Sequence, residues 1–246
     1  RGVTGVQTCA LPILAKRLRP LTDTTPKCLL KIGQKSLLER TFNALKSVGV
    51  TQFVVVTGYL HEQIEDFLTN RYPQEDILFE HNAVFESTNN IYSLWLAMKY
   101  VKGKEFLLLD SDILFDPILL NALVSVKGSS LAVNQHPLGE EEMKVVVNAE
   151  GTITQITKEC SPEESLGESV GIEKISNSYS QALYDELEKM MNIEHLENVF
   201  YELAFERLIA QGHSFKVVDT TSIFSTELDT VEDFQNAQKI IPQHLF

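Results

Sequence analysis

The sequence predicts an α/β fold built on a mostly parallel, doubly wound sheet, and three observations carry that expectation. Helical and strand-like segments alternate through residues 36–126. The strand-like runs are continuously apolar and β-branched, as strands covered on both faces must be. A βαβαβα repeat with such strands closes by right-handed crossovers between parallel neighbours.

The elements follow in order. Leu37, Leu38, Thr41, Phe42 and Leu45 recur at helical spacing, and Gly49 closes that helix. Gln52–Thr57 reads as a strand buried on both faces, His61–Leu68 as a short helix and Ile77–Glu80 as a second strand. Asn90–Val101 is an amphipathic helix with Ser87, Thr88 or Asn89 available as its N-cap. Glu105–Leu109 is a strand that runs into Asp110-Ser111-Asp112, and Pro117–Val126 is a helix with proline in its first turn. The second half changes style. Lys144–Val147 and Thr152–Thr157 flank Asn148-Ala149-Glu150-Gly151, a hairpin signal, and Ser169–Ile175 is a third strand. Helices over 180–192 and 197–211, a strand at Phe215–Val218 and a helix at Val231–Ile240 complete the pattern.

The chain has 246 residues, 43% hydrophobic and 22% charged, which suits one α/β domain with a real core. A net charge of −13 excludes a nucleic-acid binder, because no basic face can neutralise a phosphate backbone. No apolar run reaches the length of a membrane span. Three cysteines, at positions 9, 28 and 160, have no metal-binding spacing, which suggests reduced thiols and a cytoplasmic setting. Residues 9–15 lack the features of a signal peptide. The segment Val3–Ile13 resembles the translated adaptor of a sequencing library, so residues 1–13 are set aside as not native.

Against this acidic background one stretch gathers cations: Lys16-Arg17-Leu18-Arg19-Pro20, followed by Pro26-Lys27. Such a loop suits a polyanion at the mouth of a sheet. Ligands of open α/β sheets bind outside the carboxyl ends of the strands. Asp110 and Asp112 sit at one such end, and Glu227-Leu228-Asp229 precedes the last helix. Two carboxylates from distant segments would suit Mg²⁺ with substrate phosphates. Strand-end aspartates also cap helices and solvate loops, so spacing alone leaves both roles open. No Gly-x-x-x-x-Gly-Lys-Ser/Thr occurs, which disfavours a P-loop kinase, and the six scattered histidines receive no role.

The segments AKRLRPLTDTTPKCLLKIGQKSLLERT, VVVTGY, ESTNNIYSLWLA, LLLDSDILF, EMKVVVNAEGTI, ITKE, GESVGIEKIS and ELDTVEDFQNA together resemble the sugar-phosphate nucleotidyltransferases, within them the choline-phosphate and inositol-phosphate cytidylyltransferase branch. They occur in the family's order from Leu14 to about Lys239. The resemblance implies a Rossmann-like mixed sheet of the nucleotide-diphospho-sugar transferase type. The residues would form one domain over 14–246, with a nucleotide-binding half (14–135) and an acceptor-binding half (136–246). It implies transfer of a nucleoside monophosphate, CTP being the favoured donor, to a phosphorylated acceptor such as phosphocholine, with Mg²⁺ as cofactor and pyrophosphate as leaving group.

The implied roles fall residue by residue. Arg17 and Lys27 are catalytic, Arg17 also contacting nucleotide, and Asp112 and Asp229 are the metal ligands. Ser87, Thr88, Asn89 and Asn90 lie where the family contacts the base, with Asp110 placed on the nucleotide side. Lys144, Lys158, Glu168 and Gly171 fall in the acceptor region. From the residues themselves, Trp95, Phe200, Tyr201 and Glu202 could form an aromatic and acidic pocket for a quaternary ammonium, although Trp95 and Phe200, on apolar helix faces, read more readily as core.

Two departures stand out. Ser225 replaces a tryptophan frequent in the family, which alters the acceptor pocket. The glycine-rich triphosphate loop is absent: Leu11, Pro12 and Ile13 stand in its place, a β-branched residue tolerates positive φ poorly, and proline removes a donor. The first strand is likewise expected to be lost. A hexose-1-phosphate acceptor with UTP, CTP or dTTP is the alternative chemistry, and a non-catalytic member without its phosphate loop is the alternative class.

Overall fold

The structure, a computed structural model, describes residues 3–8, 16–140 and 142–246. The first half runs β1 (Val3–Thr8), β2 (Lys31–Ile32), β3 (Lys35–Ser36), α1 (Leu37–Ser47), β4 (Val50–Thr57), α2 (His61–Arg71), β5 (Asp76–His81), α3 (Asn90–Val101), β6 (Phe106–Asp110), β7 (Ile113–Phe115) and α4 (Ile118–Ser125). The second half adds β8 (Ser130–Asn134), β9 (Lys144–Val147), β10 (Ile153–Thr157), β11 (Gly167–Ile175), α5 (Asn177–Asn192), α6 (Glu202–Ala210), β12 (Lys216–Asp219), β13 (Ser225–Glu227) and α7 (Val231–Ile240).

Nine strands form one mixed sheet, ordered β10-β9-β11-β6-β1-β4-β5, with β8 joining β11 and β12 joining β8. The strands of the βαβ half pair in parallel, whereas β11 meets β6, β8 and β9 antiparallel. The expected doubly wound α/β architecture is therefore present, with an antiparallel wing built by the second half.

Period-two alternation sorts the buried strands onto two cores. Val54, Val56, Phe106 and Leu108 face a cluster with α3, α5 and α6. Phe53, Val55, Leu107 and Leu109 face another with α1, α2 and α4. A third cluster seats α7 against Leu18, Ile32, Leu37 and Leu114. α1 starts where Ser36 accepts a hydrogen bond from the amide of Glu39, and Gly49 reverses the chain after it at φ +84°.

The first strand is not lost, contrary to the expectation. Val3–Thr8 lies parallel between β4 and β6, with Thr4 opposite both Gln52 and Phe106. Parallel pairing is made by backbone groups, and VTGVQT is rich enough in β-branched residues to extend into that slot. The expected replacement of the glycine-rich loop by Leu11, Pro12 and Ile13 lies outside the described residues. Five further strands escape the sequence reading, among them β2 and β3 of two residues each. β7 and β13 are three residues each, too short for a periodic signal, and β8 directly follows a Gly-Ser turn. The helix expected over 197–211 begins only at Glu202, because Glu194–Tyr201 turns instead.

Phe42 is fully buried and stacks on Phe53 and Tyr72 at centroid distances of 4.5 and 5.1 Å. Phe42→Ala should cost about 3–5 kcal/mol of stability, measured by urea unfolding.

Candidate active site

The two-stranded ribbon of β7 and β13 assembles the site. It pairs Ile113 with Glu227, and the amide of Leu228 donates to the carbonyl of Asp112 at 3.0 Å. Asp112, which leaves the sheet at the end of β6, thus meets Glu227 and Asp229 at the start of α7. One carboxylate oxygen from each of the three lies within 4.8 Å of the others. Asp229 is held by the capping box of α7: the Asp233 carboxylate accepts from the amides of Asp229 (3.2 Å) and Thr230 (2.8 Å), and the Thr230 side chain accepts from the Asp233 amide.

Cations from the 16–27 segment reach this cluster. Lys27 Nζ donates to Asp112 Oδ2 at 2.9 Å and to Asp229 Oδ1 at 2.7 Å, with its side chain 13% exposed. Burial opposes the charge on Lys27, but the two carboxylates outweigh it and hold the ammonium above its ordinary pKa. Arg17 Nη2 donates to Asp229 Oδ2 at 2.6 Å from a largely exposed side chain. Three hard oxygen donors with cations already drawn to them are a donor set suited to Mg²⁺.

A cavity of about 710 Å³ opens beside this cluster. Besides the cluster, its lining includes Arg17, Asn90, Asp110, Glu142, Lys158, Glu168, Gly171 and Glu202. Enclosure by protein, then the charges of Asp112, Glu202 and Glu227, push the Asp110 carboxyl well above its usual range, while the Tyr201 hydroxyl donates to it at 3.2 Å. Burial pushes Glu202 up to about 7, against the pull of its own backbone amide and of Lys158, and its Oε2 has no hydrogen-bond partner. Glu227 opens to solvent, yet the surrounding protein and the charges of Asp112 and Asp229 push its carboxyl to about 8. Glu168 bonds His136 Nε2 at 2.7 Å. Gly171 adopts φ +73°, and a Cβ there would stand 2.9 Å from Asp110 Oδ2.

Several expected residues are placed otherwise. Ser87 is exposed and its hydroxyl donates to the carbonyl of Val84. Thr88 is buried, donating to that same carbonyl and accepting from Asn82. Asn89 caps α3. Their polar groups therefore build the turn, and of the four only Asn90 lines the cavity, where its Oδ1 also accepts from the amide of Tyr201. Lys144 is fully buried on three backbone carbonyls and does not line the cavity. Trp95 donates to Glu188 and packs against the core, whereas Phe200 lines the cavity under Lys158 Nζ, 5.0 Å from its ring.

Sequence reasoning assigned Asp229 but passed over Glu227. The signal was available: residues two apart in an extended segment share a face. Glu142 and Glu173 were missed as well. Glu173 lies fully buried in strand β11, and both its oxygens lack partners. Its burial, together with Asp110 and Glu202, pushes its carboxyl well above the usual range.

The family described as "Nucleotidyl transferase" matches residues 14–136. A "Bifunctional IPC transferase and DIPP synthase" of Aquifex aeolicus is 29% identical over 92% of this chain, which spans 49% of that protein's length. A "CTP:phosphoglutamine cytidylyltransferase" of Campylobacter jejuni is 24% identical over 89% of this chain and 93% of its own. In fold the chain is similar to the CTP:phosphocholine cytidylyltransferase of Streptococcus pneumoniae, with a TM-score of 0.81, 21% identity and coverage of 98% of this chain and 100% of that one.

Glu202 ionises at about 7 in the folded chain against 4.5 ordinarily. It therefore contributes stability that is complete below the lower value and is lost as pH rises through the upper one. Glu202→Gln should remove that part of the fall, read from unfolding curves across the window.

Proposed function

Because the chain belongs to the nucleotidyl transferase family, we propose that it transfers cytidylate from CTP to a phosphorylated small acceptor, phosphocholine being favoured, and releases pyrophosphate. The observation that carries the acceptor class is a surplus of carboxylates. Beyond the trio at Asp112, the same cavity is lined by Asp110, Glu142, Glu168 and Glu202, with Lys158 the cation on that side. An acceptor with a cationic head group meets that excess of acid there, and Phe200 adds an aromatic surface to the same lining. A hexose phosphate would leave that acid uncompensated. Names of relatives that use CTP support the choice of base.

In the proposed reaction an oxygen of the acceptor phosphate attacks the α-phosphorus of CTP in line. The new P–O bond forms as the bond to the β-phosphate oxygen breaks, and pyrophosphate takes the electron pair. The attacking oxygen is already ionised, so no general base is needed, and positioning and charge neutralisation carry the catalysis. Asp112 and Asp229, with Glu227 beside them, would hold Mg²⁺, which would neutralise charge on the phosphates. Arg17 and Lys27 stand ready at the same rim to contact phosphate oxygens. Asn90 and Asp110 lie on the nucleotide side, while Lys158, Glu168, Gly171 and Glu202 face the acceptor. Ser87, Thr88 and Asn89 contribute by shaping the turn that presents Asn90.

Pyrophosphate release with CTP, Mg²⁺ and a panel of phosphocholine, aminoethyl phosphate, inositol phosphate and glucose 1-phosphate tests the reading. Turnover confined to glucose 1-phosphate would overturn the acceptor class, and none with any acceptor would favour a non-catalytic member. Asp112→Ala should lower turnover by at least about a hundredfold, the typical cost of one lost electrostatic contact, with an unchanged circular dichroism spectrum.

Lys27 now occupies the space between two of the proposed ligands. Lys27→Met should therefore tighten Mn²⁺ binding in the absence of nucleotide, measured by electron paramagnetic resonance, while slowing transfer. Unchanged or weaker Mn²⁺ affinity would show that lysine and metal do not share these carboxylates.

A further inference from the structure

Lys144 is fully buried, and its ammonium has three hydrogens to donate. All three find backbone carbonyls: Glu140 at 2.9 Å, Lys158 at 3.1 Å and Glu142 at 3.4 Å. Nothing is left with which to hold a ligand. What the ammonium does hold is informative. Glu142 precedes β9 and Lys158 follows β10, and the side chains of both line the cavity. Lys144 itself pairs with Thr157 of β10 on one side and Glu168 of β11 on the other. Three wall-forming segments converge on one buried cation.

We propose that Lys144 is a positioning residue for the acceptor, clamping Glu140 and Glu142 to the end of β10 and so fixing the separation of Glu142 and Lys158. The inference rests on the transferase reading for its kinetic consequence but not for its geometry. A buried charge is tolerated only when its donors are satisfied, so the three carbonyls are committed to this arrangement. Removing the ammonium would strand them, and Glu140 and Glu142 would turn their carbonyls to water to recover their hydrogen bonds. Glu142, whose Oε2 is buried without a partner, would then leave the acceptor wall.

The test is Lys144→Met, which keeps the apolar stem and removes the donors, with phosphocholine and CTP as probes. The expected result is an acceptor KM raised about tenfold or more with the CTP KM within about twofold, the pattern of a misplaced wall. In the absence of any substrate, glutamyl endopeptidase should cut after Glu140 and Glu142 faster than in the wild type at equal thermal stability. A raised acceptor KM with unchanged cleavage would mean direct contact and overturn the proposal, as would unchanged values of both. If Lys144→Met does not fold, Lys144→Arg keeps donors in place and should raise the acceptor KM less, again sparing CTP; equal rises for both substrates would overturn it. A wild type inactive on every acceptor defeats the transferase reading alone, because the cleavage comparison is made without substrate.

Discussion

The rim of this sheet is organised by a single ammonium held between two carboxylates. Lys27, Asp112 and Asp229 come from three segments far apart in the chain, and each arrives by a different route: a short helical turn, the end of β6 and the entry to α7. Breaking one partner of a buried ion pair typically costs about 3–5 kcal/mol, because the remaining charge has no solvent to turn to. The β7–β13 ribbon and the capping box of α7 make sense as the framework of that bridge. They bring the acids close enough to require a cation, and the 16–27 segment provides one.

The rest of the cavity inverts this balance. Away from the Asp112 cluster the acids lining the cavity outnumber the bases, and protein enclosure pushes the Asp110 and Glu202 carboxyls upward. A cavity whose own acids are poised to take up protons is one in which an incoming cation replaces those protons. The two ends differ in how they are kept in place. The Asp112–Asp229 end is positioned by backbone amides and a helix start, whereas the Glu142–Lys158 wall is tied through carbonyls to Lys144. Each end is therefore set by the opposite polarity of backbone group.

Much of this was legible in the sequence, and the exceptions share a physical cause. The alternating helices and buried strands of the first half were readable because their apolar period is long and regular. Asp112 and Asp229 were readable because strand ends are where ligands bind. Lys144 was misplaced as an acceptor contact because sequence order reveals that a lysine lies in a region but not which way its strand turns it. Ser87, Thr88 and Asn89 carry polar groups that the turn itself consumes, and composition cannot tell a consumed hydroxyl from a free one. Glu173 owes its burial to β11 pairing with β8 opposite Leu131, a tertiary contact that local patterning does not show.

The place of β1 has a consequence for how the chain behaves outside its native state. β4 and β6 do not pair with each other, so β1 alone completes the hydrogen bonding of both their inner edges. If it were withdrawn, two long apolar strands would present facing unpaired edges, the surface on which chains aggregate and exchange segments. The centre of the sheet is thus its least forgiving point for vacancy, a slot shaped for a strand whether from the same chain or a neighbouring one.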